Sequence, residues 1–129
     1  MKHAGIALFL TAALLAGCST SAPLLTTTQT LDAGKSVNSG QMQTAIYQSL
    51  QRYGWQMDSD DGSTIMAHYN KHDRHIAVIR IDYSAHRFSI RHQSSEGLNY
   101  NEQRNTIHRN YNRWIQNLEQ DIRSRISFM

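Results

Sequence analysis

The chain has 129 residues, with thirteen Lys and Arg against ten Asp and Glu for a formal charge of +3. That length holds one small domain and no second core, and so mild a charge balance is no strong pointer to any polyanion. The single cysteine, Cys18, cannot close an internal bridge, so a disulfide-framed fold is excluded.

The chain opens on one basic residue, Lys2, and an apolar run over residues 4–16 broken only by Gly5 and Thr11. This is the shape of a signal-peptide core. At roughly a dozen residues it is too short to span a bilayer as a helix, which takes about 20.

The run ends in Leu15-Ala16-Gly17-Cys18, which resembles the lipobox of bacterial lipoproteins. The resemblance implies cleavage after Gly17, a diacylglyceryl group on the Cys18 sulfur and acylation of the new amino group. Three acyl chains would hold durably, since each buried methylene contributes about 0.8 kcal/mol and one chain binds only reversibly. Ser19 stands where inner-membrane lipoproteins of enteric bacteria usually carry Asp, which implies an outer-membrane destination with the domain in the periplasm. Nucleic acid is not expected as a partner of a protein exported in this way.

Residues 18–37 are rich in Ser and Thr, with few core-forming side chains apart from Leu24, Leu25 and Leu31. They are expected to form the acylated cysteine and a flexible tether, with the periplasmic domain over 38–129. A helix is expected to start at Asn38 or Ser39, either a good N-cap, and to stop at Gly54. Met42, Ile46, Leu50 and Tyr53 share its apolar face. Trp55 and Met57 suggest a short strand before the turn-rich residues 58–62.

Three strands are expected next, over 64–70, 76–83 and 87–93, each alternating with period two. Ile65, Ala67, Ala77, Ile79, Ile81, Tyr83, Phe88 and Ile90 take one face. Their short connections imply an antiparallel meander with the second strand in the middle. Residues 94–100 read as a loop, and the clearest helix is expected from near Asn101. Its stripe is Ile107, Tyr111, Trp114, Ile115, Leu118 and Ile122, with Arg104, Arg109, Arg113 and Arg123 on the wet side. The fold expected is α+β, an α-β-β-β-α domain with both helices on one face of a three-stranded meander.

Gly54-Trp55, the strand Ile79-Arg80-Ile81-Asp82-Tyr83, and Asn99-Tyr100 followed by Ile107-His108-Arg109-Asn110-Tyr111-Asn112-Arg113-Trp114-Ile115 resemble a group of small proteobacterial outer-membrane lipoproteins. The similarity runs over roughly residues 41–123. It implies an envelope protein and carries no activity or cofactor with it.

His68, His72 and His75 lie close in sequence, and Asp73 beside them, but no second ligand pair with zinc spacing accompanies them. A solvated hairpin tip is expected there and no metal. His92, Ser94 and Glu96 are near one another, yet neighbours on a strand end point alternately, so no catalytic site is assigned. Asn99, Tyr100, Asn110, Asn112 and Arg113 suit helix capping and the fastening of the preceding loop.

The candidate binding face is the other side of the sheet, where Arg80, Asp82, Arg87, Arg91 and Gln93 are expected to project together. Ten of the thirteen basic residues are arginine, whose planar fork suits carboxylate and phosphate. Ile76 and Val78 share this side, and apolar residues amid exposed charge mark a contact surface. The expected function is non-enzymatic binding of another envelope protein, as part of an envelope assembly or secretion machine. The alternative is direct binding of peptidoglycan or lipopolysaccharide through the arginines; no cofactor is expected on either reading.

Overall fold

The computed structural model describes residues 20–32 and 34–129; the expected cleavage and acylation positions, Gly17 and Cys18, lie outside them. The elements in chain order are β1 (Ser21–Pro23), β2 (Thr27–Thr30), α1 (Ser39–Arg52), β3 (Gln56–Asp60), β4 (Thr64–Lys71), β5 (His75–Tyr83), β6 (Arg87–Glu96), β7 (Thr106–His108) and α2 (Arg109–Ser127). β1 and β7 form a two-stranded antiparallel pair, and the remaining strands form a five-stranded antiparallel sheet in the order β2-β6-β5-β4-β3. The protein is α+β, as expected.

The local signals for α1 act as read. Asn38 caps it by accepting from the Gln41 N–H at 2.8 Å, while the Gln41 side chain accepts from the Asn38 N–H at 2.9 Å, a reciprocal capping box. After Gly54, at φ 80°, Trp55 packs on Tyr69 with ring centroids 5.4 Å apart, and Tyr69 meets Trp114 edge-on at 4.9 Å. This aromatic row joins the end of α1 to β4 and α2.

The sheet departs from a three-stranded meander. β3, β4, β5 and β6 make a four-stranded meander with β5 between β4 and β6, and β2 is added on the free edge of β6. Residues expected to be a flexible tether are therefore part of the fold from Ser21 onward. Thr27-Thr28-Gln29-Thr30 shows no apolar alternation; its order comes from the backbone ladder of β6, with Thr27 buried opposite Ile90. Leu24, Leu25 and Leu31 pack against the core, and Gln29 donates to Glu119 of α2 at 2.6 Å.

The second helix starts at Arg109 and not near Asn101. Asn101 and Thr106 exchange backbone hydrogen bonds, Asn105 turns the chain at φ 54°, and His108 caps α2 by accepting from the Asn110 N–H at 3.1 Å. The expected loop is shorter as well, since β6 runs on to Glu96. Gly97 then turns at φ 73° so close to Arg74 that a Cβ there would lie 1.9 Å from the Arg74 carbonyl oxygen; only glycine fits.

One core lies between the inner sheet face and the two helices. Ile65, Ile79, Ile81 and Phe88 of the sheet meet Met42 and Ile46 of α1 and Tyr111, Ile115, Leu118 and Ile122 of α2, all fully buried. Each such side chain stabilises the fold by about 1.5–3 kcal/mol before chain entropy opposes it. Both helices thus pack on one face and leave the other uncovered. Among the described residues no helix is long and apolar enough to cross a membrane.

Candidate functional site

The outer face of the five-stranded sheet is built from the residues that alternate away from the core. The β4–β5 ladder pairs Thr64 with Asp82, Met66 with Arg80, His68 with Val78 and Asn70 with Ile76. On the other side of β5, Asp82 faces Ser89 and Arg80 faces Arg91, and Thr30 of β2 lies opposite Arg87. Period two thus brings Arg80, Asp82, Arg87 and Arg91 to one face.

Gln93 leaves that set. The β5–β6 register shifts between Val78 and Ile79, which pair with Ser94 and His92, so Gln93 is the extra residue of a β-bulge. Ser94 takes the place beside Val78 where alternation would have put Gln93.

Asp82 organises the arginines. Its carboxylate accepts from Arg91 Nη2 at 2.7 Å, from Arg80 Nε at 3.1 and 3.3 Å and from the Thr64 hydroxyl at 2.8 Å. Burial pushes the Asp82 carboxyl pKa up, but the hydrogen bonds from Arg91, Thr64 and Arg80 and the Arg80 charge outweigh it and hold the group below the ordinary carboxylate range. At neutral pH it is a fixed anion that pins two half-exposed guanidinium groups on the outer face of the sheet. Arg87 completes a shallow cleft with Thr64, Arg80 and Asp82 at one end of the face. Further along lie Met66, Val78 and Ile76, each partly buried without a covering element. Met66 went unnoticed as part of this patch, although its alternation with Ile65 and Ala67 gave the signal.

The other candidates come apart. His68 is bonded to Asp58 through Nδ1 at 2.7 Å, His72 sits in the β4–β5 turn at φ 59°, and His75 approaches His108 with ring centroids 6.4 Å apart. Among the described residues no three His, Cys, Asp or Glu side chains converge as metal ligands. His92 reaches Ser95 at 2.9 Å and not Ser94, because the bulge at Gln93 shifts the alternation; Ser94 and Glu96 pair with Val78 and Ile76 on the outer face. The His92 ring packs on Tyr100 and Tyr111, and burial lowers its pKa. Asn112 fastens the segment after β1: its amide donates to the Pro23 carbonyl at 2.8 Å and accepts from the Leu25 N–H at 3.0 Å.

The arrangement offers a flat, hydrogen-bonding surface with an apolar strip. Such a face can recognise a folded or extended partner. Comparison with models of known protein families gives no match, and comparison with curated proteins gives none either.

Proposed function

We propose that this is a non-enzymatic lipoprotein of the bacterial outer membrane, acylated on Cys18 after cleavage at Gly17, whose periplasmic domain binds another envelope protein. The observation that carries the binding part is the uncovered outer face of the sheet. There Met66, Val78 and Ile76 lie beside an Asp82-centred arginine network that presents guanidinium groups in fixed positions. Fixed, partly neutralised arginines beside an apolar strip favour a protein surface over a polyanion, because Asp82 already takes up much of the attraction a peptidoglycan carboxylate or a lipopolysaccharide phosphate would feel. The anchor rests on the lipobox resemblance.

The test is photo-crosslinking in cells from position 91, with envelopes analysed before and after lysozyme. A discrete adduct that survives lysozyme is expected. A smear that lysozyme collapses would move the reading to cell-wall binding, and the absence of any adduct would leave the face as the wet side of the sheet. For the anchor, Cys18→Ala should release the protein from the membrane fraction, and retention of that variant would count against acylation.

A further inference from the structure

We infer that the end of the domain carrying Lys71, Arg74, Arg104 and Arg109 lies against the membrane, where it contacts anionic phospholipid head groups. The inference rests on the anchor reading at Cys18 and adds how the domain is held.

The Thr20 carbonyl accepts from the Arg109 N–H at 2.8 Å, and Ser21 pairs directly with His108. Cys18 is two residues upstream of Thr20, and two residues span at most about 7 Å. An acylated Cys18 would therefore meet the bilayer next to the start of α2, with no long tether between lipid and fold.

Backbone contacts gather the surface of that end. The His108 N–H donates to the Leu98 carbonyl at 2.7 Å, and Gly97 lies directly against the Arg74 carbonyl. The β4–β5 turn, residues 97–105 and the first turn of α2 thus form one continuous end. Cations without a carboxylate partner are concentrated here. Arg52, Arg80, Arg91, Arg123 and Arg125 each lie within 4.0 Å of a carboxylate, whereas Lys71, Arg74, Arg104, Arg109 and Arg113 form no such pair among the described residues; elsewhere the same holds only for Arg87 and for Lys35, which donates to the Ser127 and Met129 carbonyls. Against these five stand Asp73, Glu96 and Glu102, of which Asp73 is held by the Asn70 side chain. Tyr100, 39% exposed, adds an amphipathic ring of the kind that settles at a membrane–water boundary. Within a Debye length of about 8–10 Å, a cationic end beside an anionic leaflet is attracted to it.

This orientation would stand the strands away from the bilayer. β5 runs from His75 at the anchored end to Tyr83, and the β5–β6 turn would lie roughly 25–30 Å further out. The outer sheet face would then be open sideways to a partner.

The test uses the full acylated chain, purified in detergent from membranes and reconstituted in vesicles of phosphatidylethanolamine and phosphatidylglycerol. A nitroxide is placed at Glu102→Cys or at His86→Cys, and relaxation by a lipid-bound nickel chelate is measured. Relaxation several-fold stronger at 102 than at 86 is expected, with the difference falling in pure phosphatidylcholine and in the Arg104→Glu/Arg109→Glu variant. Equal relaxation at both positions, in a protein that floats with the vesicles, would overturn the orientation while leaving the anchor intact. Failure to float would overturn the anchor reading itself. A difference unaltered by lipid charge and by the double variant would overturn the role given to the arginines.

Discussion

The Ser49 hydroxyl donates to Asp121 Oδ2 at 2.6 Å, joining α1 to α2 through a carboxylate that is only 8% exposed. Arg52 and Arg125 complete its shell at 2.9 and 2.7 Å. Burial pushes the Asp121 pKa up, but the hydrogen bonds from Ser49 and Arg125 and the charges of Arg125 and Arg52 bring it below the ordinary value. Because the folded-state value is depressed, its contribution is full above the unfolded value of about 3.9 and is lost as pH falls through the folded value. Asp121→Ala should cost about 2–4 kcal/mol, since it strands a buried hydroxyl as well as breaking the pair. Asp121→Asn should cost less, and both should flatten the acid limb of stability below about pH 4. Urea unfolding across pH checks this; an unchanged acid limb in both variants would assign it to other carboxylates.

Asp82 makes the opposite kind of contribution, because its arginine partners are half exposed and its pairs are screened by water. Asp82→Asn should lower stability by only about 0–1 kcal/mol, since exposed pairs contribute little and the amide can still accept from Thr64. It should, however, release Arg80 and Arg91 and raise the attraction of the outer face for anions. Elution from a sulfated resin at higher salt than the wild type is expected. Elution at the same salt would mean that Asp82 does not govern the availability of these arginines.

What could be read in the sequence divides along a physical line between local and non-local causes. The α1 cap needs only Asn38 and Gln41, three residues apart, and β4, β5 and β6 announce themselves by alternation, so both were legible. β2 was not, because Thr27–Thr30 becomes a strand only when β6 offers its free edge. The start of α2 was misplaced for a related reason. Asn101 has the chemistry of a cap but turns the chain toward Thr106, and β7 depends on a partner more than eighty residues upstream. The sharing of the outer sheet face by Arg80, Asp82, Arg87 and Arg91 followed from period two. The loss of Gln93 from it and the capture of two arginines by Asp82 depend on cross-strand register, which no single segment carries.

Tyr111 gives a prediction of the reverse sign to a core truncation. It is fully buried, its hydroxyl finds no hydrogen-bonding partner among the described residues, and burial pushes its pKa well above the ordinary value. Replacing it with Phe keeps the ring that packs edge-on against His92 at 5.4 Å and removes a desolvated hydroxyl. Tyr111→Phe should therefore be neutral or stabilising by up to about 1–2 kcal/mol. A thermal midpoint below that of the wild type would show that the hydroxyl is satisfied in solution.

Asn112 tests whether the segment from Ser21 to Leu25 belongs to the domain or merely rests on it. A single amide both donates to the Pro23 carbonyl and accepts from the Leu25 N–H, taking the place of a strand partner where β1 ends. Besides the packing of Leu24 and Leu25 on the core and the bond from the Leu24 N–H to the Asn105 carbonyl at 2.9 Å, the order of the segment depends on these two bonds and on the three-residue pairing with β7. Asn112→Ala should cost about 1–2 kcal/mol, two hydrogen bonds being lost at a half-buried site. The loss should be local: amide exchange of Leu25 should rise strongly, while that of Ile79 and Ile81 in the middle of the sheet should change only with global stability. Asn112→Asp should restore the bond from Leu25 and not the one to Pro23, and so exchange at an intermediate rate. Uniform acceleration across the whole sheet would instead make this segment part of the cooperative core, and no acceleration at Leu25 would mean that β1 and the packing of Leu24 and Leu25 hold it without the amide.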